Sequence, residues 1–158
     1  MHTKNTVRKL TVFFLTSWEV TKNINEKKHP ITAVLKESEK VVRKEFSNCD
    51  DLKAREMYIG ENQKIRCVIF YIEVNVGNDM LNVFGRLVSY LQHVPEAVLG
   101  EAIKDNIFGL SDALPLQYME EAVRGILIGD AVVFVDGFAG ALKIPDKGYP
   151  KMGVNPSD

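Results

Sequence analysis

The chain has 158 residues, with 20 Lys and Arg set against 21 Asp and Glu, for a formal net charge of -1. That length fits one domain with a sizeable core, and the balanced charge supplies no global field to draw in nucleic acid or an anionic membrane. Two cysteines, Cys49 and Cys67, suit a reducing compartment, and His2, His29 and His93 lie far apart with no metal-ligand spacing.

The N-terminus carries Lys4, Arg8 and Lys9 ahead of the apolar run Leu10 to Trp18. This imitates a signal-peptide core, but no small-residue cleavage site follows, and docking on the domain is the better reading. No stretch approaches the roughly 20 apolar residues that span a bilayer. Thr21 to His29 is polar, so residues 1–29 read as leader and linker. Pro30 suits a helix first turn. The spacing predicts a helix over 31–46, with Ile31, Val34, Leu35, Ser38, Val41, Val42 and Phe46 on its inner face. Lys36, Glu37, Glu39, Lys40 and Lys44 fall on the outer face. Ser47 to Asp51 breaks the helix, because these side chains compete for their own backbone.

Leu52 to Ile59 and Ile65 to Ile72 are predicted strands, antiparallel through a turn at Gly60 to Gln63. Asn78-Asp79 can cap the next helix, whose inner face is Met80, Val83, Phe84, Leu87, Val88 and Leu91. Pro95 starts a short helix expected to bury Val98, Leu99, Ala102 and Ile103. Asn106 to Leu114 is a connection. Ser111 or Asp112 is expected to cap a last helix with Pro115 in its first turn and Met119, Ala122, Val123 and Ile126 as its stripe. Gly129 should end that helix. Ala131 to Val135 is a short, β-branched, apolar run, followed by the hairpin signal Asp136-Gly137 and a return strand at Ala139 to Ile144. Pro145, Gly148 and Pro150 then end regular structure.

These elements add up to an α/β chain of mixed α+β type: a four-stranded mixed sheet of two hairpins packed against helices. The domain runs over 30–144, and 145–158 reads as a connector to a downstream subdomain. Strands 64–72 and 130–135, the most continuously apolar, should be central, with Val68, Phe70, Val132 and Phe134 in one core. If they are neighbours, a parallel pairing would make the helical region between them a right-handed crossover.

The residues offer little chemistry. Asp50-Asp51 look like turn formers, and Glu120-Glu121 point about 100° apart on a helix, so neither pair converges for acid/base work. Asp136 ends an apolar strand, where catalytic carboxylates often sit, but the following Gly favours a turn role. Val76-Gly77-Asn78 could hold an anion at a helix N-terminus; a lone glycine there is more often a loop. Lys27-Lys28 and Arg43-Lys44 read as solvated faces. No nucleophile elbow, Walker loop or dinucleotide fingerprint occurs. No catalytic, cofactor-binding or metal-binding residue is assigned, and the residues alone stop at a soluble α/β domain.

Three local features together resemble the A subunits of spore germinant receptors, the GerA family, including the stage V sporulation protein AF paralogues. The first is Asp51-Leu52-Lys53-Ala54-Arg55-Glu56, similar to the Asp-x-x-x-Arg-Glu that opens that family's first strand pair. The second is the helix–strand unit Ala122 to Asp136-Gly137. The third is Lys143-Ile144 through Lys147-Gly148-Tyr149-Pro150 to Gly153-Val154. The resemblance covers roughly residues 30 to 158 and departs at the very end, where Asn155-Pro156 stands in place of Glu-Pro. It implies a non-catalytic, cytosolic N-terminal domain of a spore germination membrane protein, at the cytoplasmic face of the spore inner membrane, acting in receptor assembly or signal relay. It further implies other receptor or channel subunits as partners, a membrane part beyond this fragment, no cofactor, no nucleic acid, and a small-molecule germinant with no assigned site. A small-ligand-binding α/β module, with a site near the ends of the central strands, and an uncharacterised enzyme are the alternatives.

Overall fold

The computed structural model describes residues 28–73, 78–105 and 113–146. Helix α1 is Leu35–Glu45, strand β1 is Leu52–Ile59 and strand β2 is Ile65–Ile72. Helix α2 is Asn78–Leu91; a 3-10 turn at Glu96–Val98 leads into α3, Leu99–Asp105. Strand β3 is Leu114–Leu116, α4 is Met119–Leu127, β4 is Ala131–Val135 and β5 is Ala141–Ile144. The five strands form one sheet in the order β1-β2-β4-β5-β3.

The central strands are apolar on both faces because both faces are covered. Val68 and Phe70 of β2 lie opposite Phe134 and Val132 of β4 and share a core with Leu35, Val42 and Phe46 of α1 and Ala122, Val123 and Ile126 of α4. Cys67 and Ile69, with Val133 and Val135, face the other way into Met80, Phe84, Leu87 and Leu91 of α2 and Leu99 and Ile103 of α3. Each β4 residue is buried, which is why Ala131 to Val135 shows no polar alternation. The four-residue core expected from the sequence is present as one cluster.

Three expectations are corrected. The sheet has five strands, all pairings antiparallel, where a mixed four-stranded sheet was expected. The segment between β2 and β4 contains α2, α3, β3 and α4 in place of a single crossover helix, and it returns β4 against the direction of β2. The added strand is β3, which the sequence suggested was the start of a helix. Pro115 lies opposite Leu142 on the sheet edge, where its missing N–H is tolerated. Helix α4 begins later, at Met119, and Glu121 accepts the N–H groups of Gln117 and Tyr118, each at 3.1 Å.

Helix α1 also starts late, at Leu35 in place of residue 31. Ile31 N–H donates to Gln117 O at 2.9 Å, so that segment is held extended beside the start of α4. The inner face of α1 is rotated from expectation. Val34 and Val41 are exposed, while Glu39 is buried with Ser38. Val98 is exposed because it sits in the 3-10 turn. The return strand β5 begins at Ala141 in place of Ala139. A Cβ on Gly140 would stand 2.9 Å from the carbonyl oxygen of Leu116, so the backbones of the turn and β3 meet closely there. Gly129 and Gly137 both have positive φ, at 105° and 90°. Leader residues 1–27, the Val76-Gly77 loop, Ser111-Asp112 and residues 147–158 of the expected connector lie outside the described residues.

Candidate functional site

The carboxylates of this fold are used to fasten elements together. Asp136, at the end of β4, accepts the N–H of Leu35 at 3.0 Å through Oδ1. It thereby caps α1 from across the chain, in a place where Val34 has no capping side chain. Gly137 N–H donates to Ala33 O at 2.7 Å, so the Asp-Gly pair holds both the turn and the helix entrance. The turn role weighed for Asp136 is what the geometry shows.

A second fastening crosses the α1 side of the sheet. Arg66 of β2 makes two hydrogen bonds to Glu39 of α1, Nη1 to Oε1 at 2.6 Å and Nη2 to Oε2 at 2.8 Å. Its Nε donates to Glu56 of β1. The Arg66 guanidinium holds Glu39 below the usual carboxylate range, against the opposing effect of burial, and the two carboxylates raise Arg66 in turn. The sequence placed Glu39 on the outer face. The signal that could have found it is Arg66 itself: a cation inside the apolar run Ile65–Ile72 needs a carboxylate from the covering helix.

Two further clasps lie near the first and last described residues. His29 donates its backbone N–H to Glu120 Oε1 at 2.9 Å, and its Nδ1 lies 2.5 Å from Oε2. Burial works to raise Glu120, but the hydrogen bonds from His29 outweigh it and leave this carboxyl lowered. Glu120 and Glu121 therefore diverge, one to His29 and one to the helix N-terminus. At the other end, buried Asp130 accepts the N–H of Asp146 at 3.0 Å and faces Lys143 Nζ at 3.8 Å. Asp51 belongs to the turn before β1, and its carbonyl accepts Glu73 N–H at 2.8 Å.

Cys67 is buried, which pushes its thiol up to about 12, while Cys49 is half-buried; both are free. Among the described residues no group of His, Cys, Asp and Glu could hold a metal ion, and no helix is long and apolar enough to cross a membrane. Of the basic pairs, Lys28 lies over the Tyr118 ring at 5.1 Å and Arg43 over Phe70 at 5.3 Å. An open groove of about 730 Å³ is lined by Tyr90, His93, Val94, Pro95, Val98 and Glu101. It lies between the end of α2 and α3, and its lining residue Val94 accepts the N–H of Glu61, in the turn that leads into β2, at 3.2 Å.

The family of Bacillus/Clostridium GerA spore germination proteins matches residues 40–158. The chain belongs to this family. No curated protein matches it. Among solved structures it is similar to the N-terminal domain of the A subunit of the Bacillus megaterium spore germinant receptor GerK3, at 20% identity and a TM-score of 0.64. That match covers 79% of this chain and 51% of the other, so the chain spans about half the length of the GerK3 domain. The family resemblance read from the sequence holds, and its motif residues have structural uses. Glu56 joins the Arg66 network, Asp136 caps α1, and Lys143 of β5 approaches Asp130. Lys147 to Val154, the rest of the third feature, lie outside the described residues.

Proposed function

We propose that this chain is the non-catalytic N-terminal domain of a membrane-associated subunit of the spore germination machinery, acting by assembly or signal relay through contact with other protein. The family match over residues 40–158 carries this reading. Its partners are other subunits of a germinant receptor or channel complex, and it sits at the cytoplasmic face of the spore inner membrane. The use of its carboxylates supports a scaffold role. Asp136, Glu39, Glu120, Glu121 and Asp130 each bind backbone or a neighbouring side chain.

The test is deletion of the coding segment for this domain in its spore-forming host, followed by nutrient-triggered germination. Germination should be slowed or lost and restored by the intact gene. Spores that germinate normally would contradict the role, and turnover of any substrate by the purified chain would contradict the non-catalytic part.

A small-ligand module is the second reading, and the groove beside Tyr90 and His93 is the observation that favours it. Chemical-shift perturbation of Val94 and Ala102 by germinant nutrients would support it.

A further inference from the structure

We propose that the outer edge of β1 is a docking edge for an extended acidic segment of a different protein, added as a strand and anchored by Arg55. The proposal rests on the contact-based reading above and names the surface that reading needs.

The two sheet edges are unlike. β3 is three residues long and contains Pro115, which has no N–H to offer. β1 is eight residues long, contains no proline, and is exposed over Lys53 to Glu56. Its open backbone groups follow from the register. Glu73 N–H donates to Asp51 O, and Leu52 stands opposite Ile72. In an antiparallel ladder bonded and non-bonded pairs alternate. Odd-numbered residues of β1 therefore bond to β2, and Ala54, Glu56 and Tyr58 turn their N–H and C=O groups outward. Gly60 agrees with this phase, since its N–H points away from β2 to Leu91 O at 3.0 Å.

Charge then selects the occupant. β1 carries three charged side chains, Lys53, Arg55 and Glu56. Lys53 pairs with Glu73 at 3.3 Å, and Glu56 pairs with Arg66. Arg55 is exposed and has no partner among the described residues. It lies opposite Ile69, on the α2 face of the sheet, while Glu56 lies on the α1 face. Charges on an edge ordinarily keep it solvated. Here two of the three are already neutralised by neighbours, which leaves one guanidinium beside a row of open backbone groups. A strand laid along this edge with Asp or Glu opposite Arg55 would gain a charge-assisted hydrogen bond as well as backbone bonds.

A second copy of the chain is a poor occupant. The two-fold pairings that overlap most of β1 and keep each face continuous centre on Arg55 or on Glu56. Centred on Arg55 they set two unpaired guanidiniums against each other, and centred on Glu56 they put Arg55 opposite Met57, which offers no carboxylate.

The experiment titrates the isotope-labelled chain with two short peptides, one alternating valine with glutamate and one alternating valine with lysine, and reads amide shifts. The acidic peptide should move Ala54, Glu56 and Tyr58 first. Arg55→Ala should weaken that binding about tenfold, and Arg55→Glu should transfer the preference to the lysine peptide. Arg55 is exposed, so an unchanged melting temperature will show that both variants fold. The proposal is overturned if neither peptide binds, if both bind alike, or if the shifts fall away from β1. Such a failure leaves the germination phenotype standing, so the edge and the broader role are tested separately.

Discussion

At the residue scale, the Glu39–Arg66 pair contributes to how the domain responds to acid, as does Glu120 held by His29. Arg66 lowers Glu39 in the folded state, so between the folded value and the ordinary 4.5 the unfolded chain binds more protons. The pair's contribution is therefore complete above pH about 4.5 and is lost as pH falls through the lowered folded value. Glu39→Gln should cost about 1–3 kcal/mol at neutral pH and flatten the acid limb of the stability curve. Urea unfolding at several pH values checks both, and an acid limb as steep as wild type would reject the pair. Asp136→Ala should cost about 0.5–2 kcal/mol through loss of the α1 cap, and Asp136→Asn less, because an acceptor remains. The two thiols should differ: Cys49 reacts in the native protein, Cys67 waits for unfolding, and unfolded protein shows both. Asp136 was legible as a turn residue from the glycine after it. Its second task, capping Leu35 from a distant part of the chain, was not, because no local pattern encodes a partner that folding alone brings near.

At the element scale, the central strand pair carries the stability. Phe70 and Phe134 meet edge to face at 6.0 Å between ring centroids, with both rings fully buried. Phe134→Ala should cost about 3–5 kcal/mol through the cavity it leaves, a large part of a domain's usual 5–15 kcal/mol. An unchanged denaturant midpoint would contradict the packing. Gly137→Val should destabilise more than Gly137→Asn, since φ is 90° there and asparagine tolerates the left-handed region better than a β-branched residue. Equal stabilities would contradict the turn. Elements whose apolar pattern matched their burial were readable in advance. The six-residue stripe of α2 from Met80 to Leu91 is buried throughout. β3 was not readable, because its three residues show no period and Pro115 before an apolar stripe signals a helix start as well as an edge strand. The rotation of the inner face of α1 was missed because the ion pair that accompanies it, with Glu39 buried and Val41 exposed, joins residues 27 positions apart.

At the scale of the whole molecule, the sequence showed which strands are central and which helices cover them, but not their relative direction. Periodicity fixes the burial of β2 and β4 equally well for either pairing, so it does not distinguish the antiparallel arrangement found from a parallel one. The family was legible from short motifs and no site was, since Glu56, Asp136 and Lys143 of those motifs are engaged in holding the fold. The central claim is that this domain works by contact with other protein. The most direct measurement is hydrogen exchange on the chain alone and on the same chain within the membrane-associated germination complex. The account predicts that a contiguous patch of surface amides slows in the complex while the core strands β2 and β4 are unchanged. Identical exchange in the two states would contradict it.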